Sequence, residues 1–530
     1  MYRTIRPFRG IVCSALALGQ QTLRVAGLRP FARPGLFGLL LMGAFWVAVS
    51  LLGTVLTPEM LAGPRRFGVL PGAELWFPFL KGDDVSFSGY AITNHGLLAT
   101  DLEFQAVAAD GRLQSYPNNP SLKNLGSQQQ LARTASEIFS LDVSSPRDGW
   151  IRLLSQRSTV ASFFQFGKVS ENGLVSQLDG ALAVASLSNV LYFTRIISGP
   201  SSYPSLEGLQ DAVQTLYLAN PNAQPVTVQL EIFDPAGQQL GSQSRTLFAG
   251  GCLAETLDSL FGLGPINDGL IRLTSSTLGI AAFQTIQLED TILGFNALAG
   301  NESLVSFSAQ LAHGESGGGR ISTSLKVVNV SSSPVALLIT ALKENGSVLN
   351  VAPSLVLGPN QALQRDMGEL FNLGPPTAPQ VDGSIRVEAT GPGVLGDVIF
   401  GDADVGRYAA ALPLQTALLT RAIFSQVANL RSGTPGEQLF TGLAFHNPDI
   451  QTTRVTIRVF TEVGLQSGFT FFDMLSGTRR SDLLADLVPG SAGQVRGYIT
   501  VESTRPIVAQ QLFGNFALDF LSAVPPTILE

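Results

Sequence analysis

Three histidines, one run of aspartates and two cysteines are the residues in this 530-residue chain best suited to chemistry, and their spacing assembles none of it. His95 follows Asn94 and His446 precedes Asn447, both at the ends of alternating apolar strands, so they share a turn and not a site; His313 stands apart. Asp397, Asp402 and Asp404, with Gly401 and Gly406 around them, are the densest carboxylate cluster. A calcium loop gathers five or more oxygens. This run offers two close carboxylates and no bidentate Glu at the right distance, which reads as an acidic turn. No Gly-x-Ser-x-Gly elbow frames a Ser–His–Asp triad. His-Glu-x-x-His, Cys-x-x-Cys and Walker-type loops are missing from the sequence as well. The expectation is a protein that is not an enzyme, with no catalytic, cofactor-binding or metal-binding residue and no cofactor.

Cys13 and Cys252 do not pair on this reading, because Cys13 lies in a basic leader that stays on the other side of a membrane. Cys252 is expected as a small buried thiol, with an intermolecular disulfide as the sharper alternative. No lipobox precedes Cys13. Gly314 to Gly319, with Glu315, reads as a flexible loop tip. If the chain recognises a ligand through loops, Tyr116, Tyr203 and Tyr408 are the aromatics to examine.

What must position these residues is a unit written four times. Asp148-Gly-Trp-Ile-Arg-Leu-Leu-Ser recurs as Asp268-Gly-Leu-Ile-Arg-Leu-Thr-Ser, as Asp382-Gly-Ser-Ile-Arg-Val-Glu-Ala and, worn, as Arg496-Gly-Tyr-Ile-Thr-Val-Glu-Ser. Gly149, Gly269, Gly383 and Gly497 stand 120, 114 and 114 residues apart. That is the period of a small domain and not of a solenoid repeat. Each copy opens on a short aromatic strand, continues into an alternating strand ending in Asn (Asn94, Asn220, Asn329, Asn447), and then a longer alternating run. A helical signal follows, ending at Phe139, Phe261, Phe371 or Leu487. Thr134, Thr256, Asp366 and Asp482 are placed to cap it, and Glu137 and Glu369 complete capping boxes. The leading glycines read as backbone positions where a side chain would not fit, and Arg152, Arg272 and Arg386 as solvated or cross-strand-paired residues.

Seven strands and one helical turn per copy predict an all-β chain of four tandem immunoglobulin-like antiparallel β-sandwich modules, at residues 74–188, 189–303, 304–417 and 418–530. As spacers of about 30 Å each they would form a rod of roughly 120 Å.

Residues 1–33 form a basic leader; the first 57 residues hold six arginines and no acid. Leu36 to Leu56 is apolar except for Ser50 and Thr54, long enough to cross a bilayer of about 30 Å. Residues 34–57 are therefore expected to be a transmembrane helix or signal anchor, with residues 58–73 as linker. The basic flank keeps the amino terminus cytoplasmic and sends the rest to the periplasm or the outside. Length and the lack of a small-x-small site favour an uncleaved anchor over a cleaved signal peptide, which would make the protein secreted. Residues 58–530 carry 27 of the 33 basic groups and all 40 acidic groups, a balance of −13. Such a surface does not seek nucleic acid.

The Asn-Pro strand ends, the Leu–Phe helix and the Asp-Gly-led strand resemble the tandem β-sandwich repeat modules of secreted or envelope-anchored bacterial proteins. That resemblance implies a fold and carries over no functional residue. The expected role is a membrane-anchored extracytoplasmic structural or adhesive scaffold. The alternative is a secreted protein that recognises a glycan or protein partner through its inter-strand loops.

Overall fold

A computed structural model describes residues 72–142, 147–201, 210–316, 319–404 and 406–529. The first repeat contributes strands β1 (Ala73–Phe77), β2 (Ser86–Asn94), β3 (Thr100–Val107), β4 (Ser121–Leu125), β5 (Gln130–Thr134), β6 (Trp150–Ser155), β7 (Val160–Val169) and β8 (Val175–Ala181), with helix α1 (Ala135–Phe139) after β5. They form two antiparallel sheets, in the orders β1-β6-β3-β4 and β5-β2-β7-β8. The second repeat repeats both orders, and the described chain is all-β apart from short helical turns. Period-two alternation explains the layering: in Val226–Phe233, the counterpart of β3, Val226, Val228, Leu230 and Ile232 are buried while Thr227 faces out. They meet Leu216, Leu218, Ile280 and Ala282 of the opposite sheet in one core.

In the third and fourth repeats the two sheets are joined. Val305–Ser316 pairs with Val381–Ala389 as far as His313, across an irregularity between Ser308 and Leu311, and with Gly319–Asn329 of the other sheet from Gly314 on, and Tyr498–Asn515 runs as one strand through the counterparts of β6 and β7. Gly314–Ser316 belongs to the first of these strands, so the glycine-rich tip flanks a β-hairpin.

The shared residues hold backbone. Asn94 donates from its amide to the carbonyls of Leu98, Leu125 and Gly126. Asn220, Asn329 and Asn447 make the same three bonds in their own repeats, tying the turn after one strand to the end of another. A Cβ on Gly149, Gly269, Gly383 or Gly497 would press into the carbonyl oxygen of Val107, Phe233, Leu342 or Phe460. Arg152 pairs with Glu74, Arg272 with Glu231 and Arg386 with Glu388.

The helices are single turns: α1, α2 (Leu257–Phe261), α3 (Met367–Leu370) and α4 (Leu484–Leu487). Thr134, Thr256 and Asp366 cap the first three, and Thr134 with Glu137 makes a full capping box. Three expectations need correction. The position before α4 is Leu483, which makes no side-chain cap, while Asp482 accepts from Arg480. Asp366 caps through the nearer Gly368 N–H and not through a box with Glu369. Phe261 is only half-buried, because Leu257 and Leu260 fill the core beneath α2.

The four repeats do not extend into a rod; they close into a propeller-like ring. Strand β8 and its counterparts Ile292–Asn296, Ala409–Pro413 and Leu521–Val524 meet around the centre, each touching the next and the last touching the first. One backbone bond recurs at all four seams. Gln130 donates its N–H to Glu462, Cys252 to Ala109, Ala362 to Pro235 and Arg479 to Glu344, over 2.8–3.2 Å. The accepting turns each carry a glycine at φ 81–85° (Gly111, Gly237, Gly346, Gly464), a conformation that disfavours other residues, and each lies against the neighbouring repeat's backbone.

Asp179 sits fully buried at the hub. It accepts from the Gly294 N–H at 2.8 Å and the Ser522 hydroxyl at 3.0 Å, so it joins the first, second and fourth repeats. Burial outweighs these donors and pushes its carboxyl up to about 8 from the ordinary 3.8. The folded state therefore holds one proton more than the unfolded chain between about pH 4 and pH 8. Stability from this group is full below that window and is lost as pH rises through it, by at most about 1.4 kcal/mol per unit. Buried His446, pushed down to about 4, acts in the opposite sense and loses stability as pH falls below 6.5. Urea midpoints at pH 5.5 and pH 8 should fall with rising pH in the wild type and no longer fall in Asp179→Asn, where His446 alone raises them slightly; equal slopes would contradict this account.

Stretch 34–57 lies outside the described residues. Among those described, no helix is long and apolar enough to cross a membrane.

Candidate functional site

A cleft of about 430 Å³ lies on the third repeat, lined by His313, Arg320, Asp366, Glu369, Asn372 and the turn 374–377. His313 comes from the long first strand, Arg320 from the hairpin behind it, and Asp366 and Glu369 from the start of α3. A kink in the first strand sets His313 there: Ala312 exchanges two hydrogen bonds with the hydroxyl of Thr323, six residues before the strand-end Asn329. Ser88, Gln214 and Thr441 occupy the same place and staple the same kink in the other repeats.

His313 Nε2 lies 3.0 Å from the Gly374 carbonyl, which only accepts, so Nε2 carries the proton. Its Nδ1 faces Asp366 Oδ1 at 3.6 Å, too long for a hydrogen bond, and has no other partner. Asp366 takes the Gly368 N–H at 2.7 Å on one oxygen and the Ser322 hydroxyl on the other. A serine, a histidine and an aspartate thus meet here in an order that cannot activate a nucleophile. Ser322 is buried and donates to the acid, away from the imidazole. In relay catalysis the base must hold the hydroxyl and the acid must hold the base. What the cleft offers is a polar lining tied to the backbone; Arg320 at its edge is paired with Asp404 at 2.8 Å.

The other candidates are dispersed. Asp397, Asp402 and Asp404 do not converge: Asp397 binds Arg195 and Thr194 of the second repeat, Asp402 pairs with Arg407, and Asp404 pairs with Arg320. Among the described residues no three His, Cys, Asp or Glu side chains are grouped to hold a metal ion. His95 is half-buried at the strand-end turn, where burial lowers its pKa. His446 is buried against Phe307 at the third seam. Cys252 lies half-buried at the first seam, and burial pushes its thiol up to about 12.

Tyr116 packs half-buried on Phe139, and Tyr408 is buried, so neither stands ready in a loop; Tyr203 lies outside the described residues. Among the described residues the phenylalanines that do face solvent are Phe469, Phe471, Phe248 and, least, Phe516. Two of these were legible in the sequence. In Gln466–Met474 the phenylalanines alternate onto the face whose neighbours across the ladder are Arg454, Thr456 and Arg458.

A scan against protein-family models finds no match, and a search of curated proteins finds none.

Proposed function

We propose that the protein is a non-catalytic scaffold of structural or adhesive type, anchored in the membrane through residues 34–57 with its repeats on the extracytoplasmic side. The observation that carries this reading is where the shared residues go. The strand-end asparagines and leading glycines of all four repeats, and the helix caps of the first three, are engaged in fixing backbone. A catalytic site is needed once, whereas copying a module multiplies surface and weak contacts. The immunoglobulin-like character of each module and its kinship with envelope-anchored bacterial repeat proteins belong to the same proposal. Ring closure changes the manner of display: such a body presents its outer strands and turns around a rim and gives no long reach.

Full-length protein should stay with membranes after carbonate wash and keep its amino terminus; a mature end near Thr54 or Gly63 would move it to the secreted class. A panel of hydrolase substrates should show no turnover. Hydrolysis abolished by His313→Asn would replace the scaffold with an enzyme. The second reading, recognition of a glycan or protein through inter-strand loops, draws support from the polar cleft on the third repeat.

A further inference from the structure

The outermost strand of the fourth repeat, Gln466–Met474, is an edge strand whose open face is apolar. Phe469 and Phe471 are 60% and 57% exposed, Val463 and Leu465 protrude from the turn before them, and Leu475 with Ile450 protrude at the far end, Ile450 at 88%. Nine residues of strand make this strip about 30 Å long. Single exposed apolar residues need no explanation, but a row of them interrupted only by Ser467 and the Arg454–Asp473 pair does.

The fold does not demand the row. Phe469 and Phe471 stand across from Arg458 and Thr456, and the register places Ser242 and Ser244 across from Glu231 and Gln229 at the same points of the second repeat. Two serines suffice there.

The strip also lies beside the place from which the chain departs toward its leader. Gly72 is bonded to Ser155 at the end of the first repeat formed by the turns after β2, β4 and β6. On that end Gln128 donates to the Gly96 carbonyl, and the turn of the fourth repeat carrying Val463 and Gly464 packs on Gln128. Fifteen residues, 57–71, separate Gly72 from the apolar stretch, a reach of at most about 50 Å.

We propose that this strip lies against the lipid bilayer, so that the ring is docked on its rim and does not swing freely from its tether. The proposal rests on the anchored reading above. Apolar insertion drives it rather than charge. Arg454 stacks over Phe471 at 5.1 Å and is paired with Asp473, and Arg458 is paired with Glu502, so the face is locally neutral. Arginine stems beside aromatic rings suit the boundary between headgroups and acyl chains. Zwitterionic lipid is therefore sufficient.

The test uses the full chain in phosphatidylcholine vesicles, with a bimane fluorophore on Phe471→Cys or, as control, on Ser244→Cys, in a background where Cys13 and Cys252 are serine. A nitroxide-bearing lipid should quench the label at position 471 several-fold more than the label at 244. Equal quenching overturns the docking. Shielding of 471 from soluble iodide without quenching by the lipid nitroxide also overturns it, since a protein partner or a second copy then covers the strip. Carbonate wash of the same vesicles keeps the two readings apart. Release of the chain defeats the anchor itself, whereas retention with no quenching at 471 defeats only the docking.

Discussion

Arg195→Met should destabilise the ring by about 3–5 kcal/mol, the cost of leaving a buried charge without its partner. Arg195 and Asp397 are 0% and 1% exposed and meet at 2.5 Å across the second seam. Thr194 donates to the other carboxylate oxygen, and Ser324 accepts from the guanidinium twice. Removing the arginine leaves Asp397 in the interface with one hydroxyl and, for its charge, only Lys326, which is already paired with Asp268. The double variant Arg195→Met/Asp397→Leu should recover most of the loss, because both positions are apolar in the first seam. In the first seam the same two places are held by Phe79 and Phe283, whose rings pack 5.8 Å apart. Urea unfolding of wild type, single and double variants gives the comparison. A double variant as unstable as the single one would show that the ionic pair is needed for more than filling the seam.

That contrast explains how the order of the repeats is held. The first seam is aromatic, with Phe79, Tyr217 and Phe283 in contact. The second is ionic, and Lys326 is buried beside it on Asp268, its pKa lowered by burial to about 8. The third turns on buried Arg479, which reaches the Ala309 carbonyl, Gln310 and Glu344. The fourth closes on Gln130, which exchanges hydrogen bonds with Gly497 and donates to Ser425. A repeat placed in the wrong slot would set a charge against a phenyl ring, at the cost of an unpaired buried ion.

Phe139→Ala is the second large effect, again about 3–5 kcal/mol, and Phe261→Ala should cost much less although the two align in sequence. Phe139 is 0% exposed, closes α1 and packs on Tyr116 with ring centroids 5.8 Å apart. Phe261 at the same place in α2 keeps one side in water. Truncation at Phe139 leaves a cavity that the surrounding sheets can fill only in part. Truncation at Phe261 removes a lid over Leu257 and Leu260, which stay in place. Midpoint shifts in urea decide this, and equal shifts would mean that alignment matters more than burial.

Local pattern alone reveals the period, the strands, the helical turns and the residues that shape backbone. Asn94, Gly149 and Thr134 with their counterparts act within a few residues or on an adjacent strand, so their chemistry shows wherever their pattern recurs. The glycines of the seam turns, from Gly111 to Gly464, are equally visible, but as turn residues and not as contacts. The cleft on the third repeat was legible only as scattered residues: His313 and Asp366 lie 53 positions apart, and a kinked strand brings them together. The assembled fold alone shows that four modules close on one another, because closure depends on the angle between neighbours, which no local pattern encodes. It placed Asp397 on Arg195 and Asp179 on Gly294 and Ser522, partners more than 100 residues apart that read in sequence as ordinary strand and turn positions. One signal did point that way. Val160 to Phe166 and Ile280 to Ile286 are apolar on both faces and do not alternate, and a strand buried on both faces needs a second surface to cover it. The neighbouring repeat is that surface.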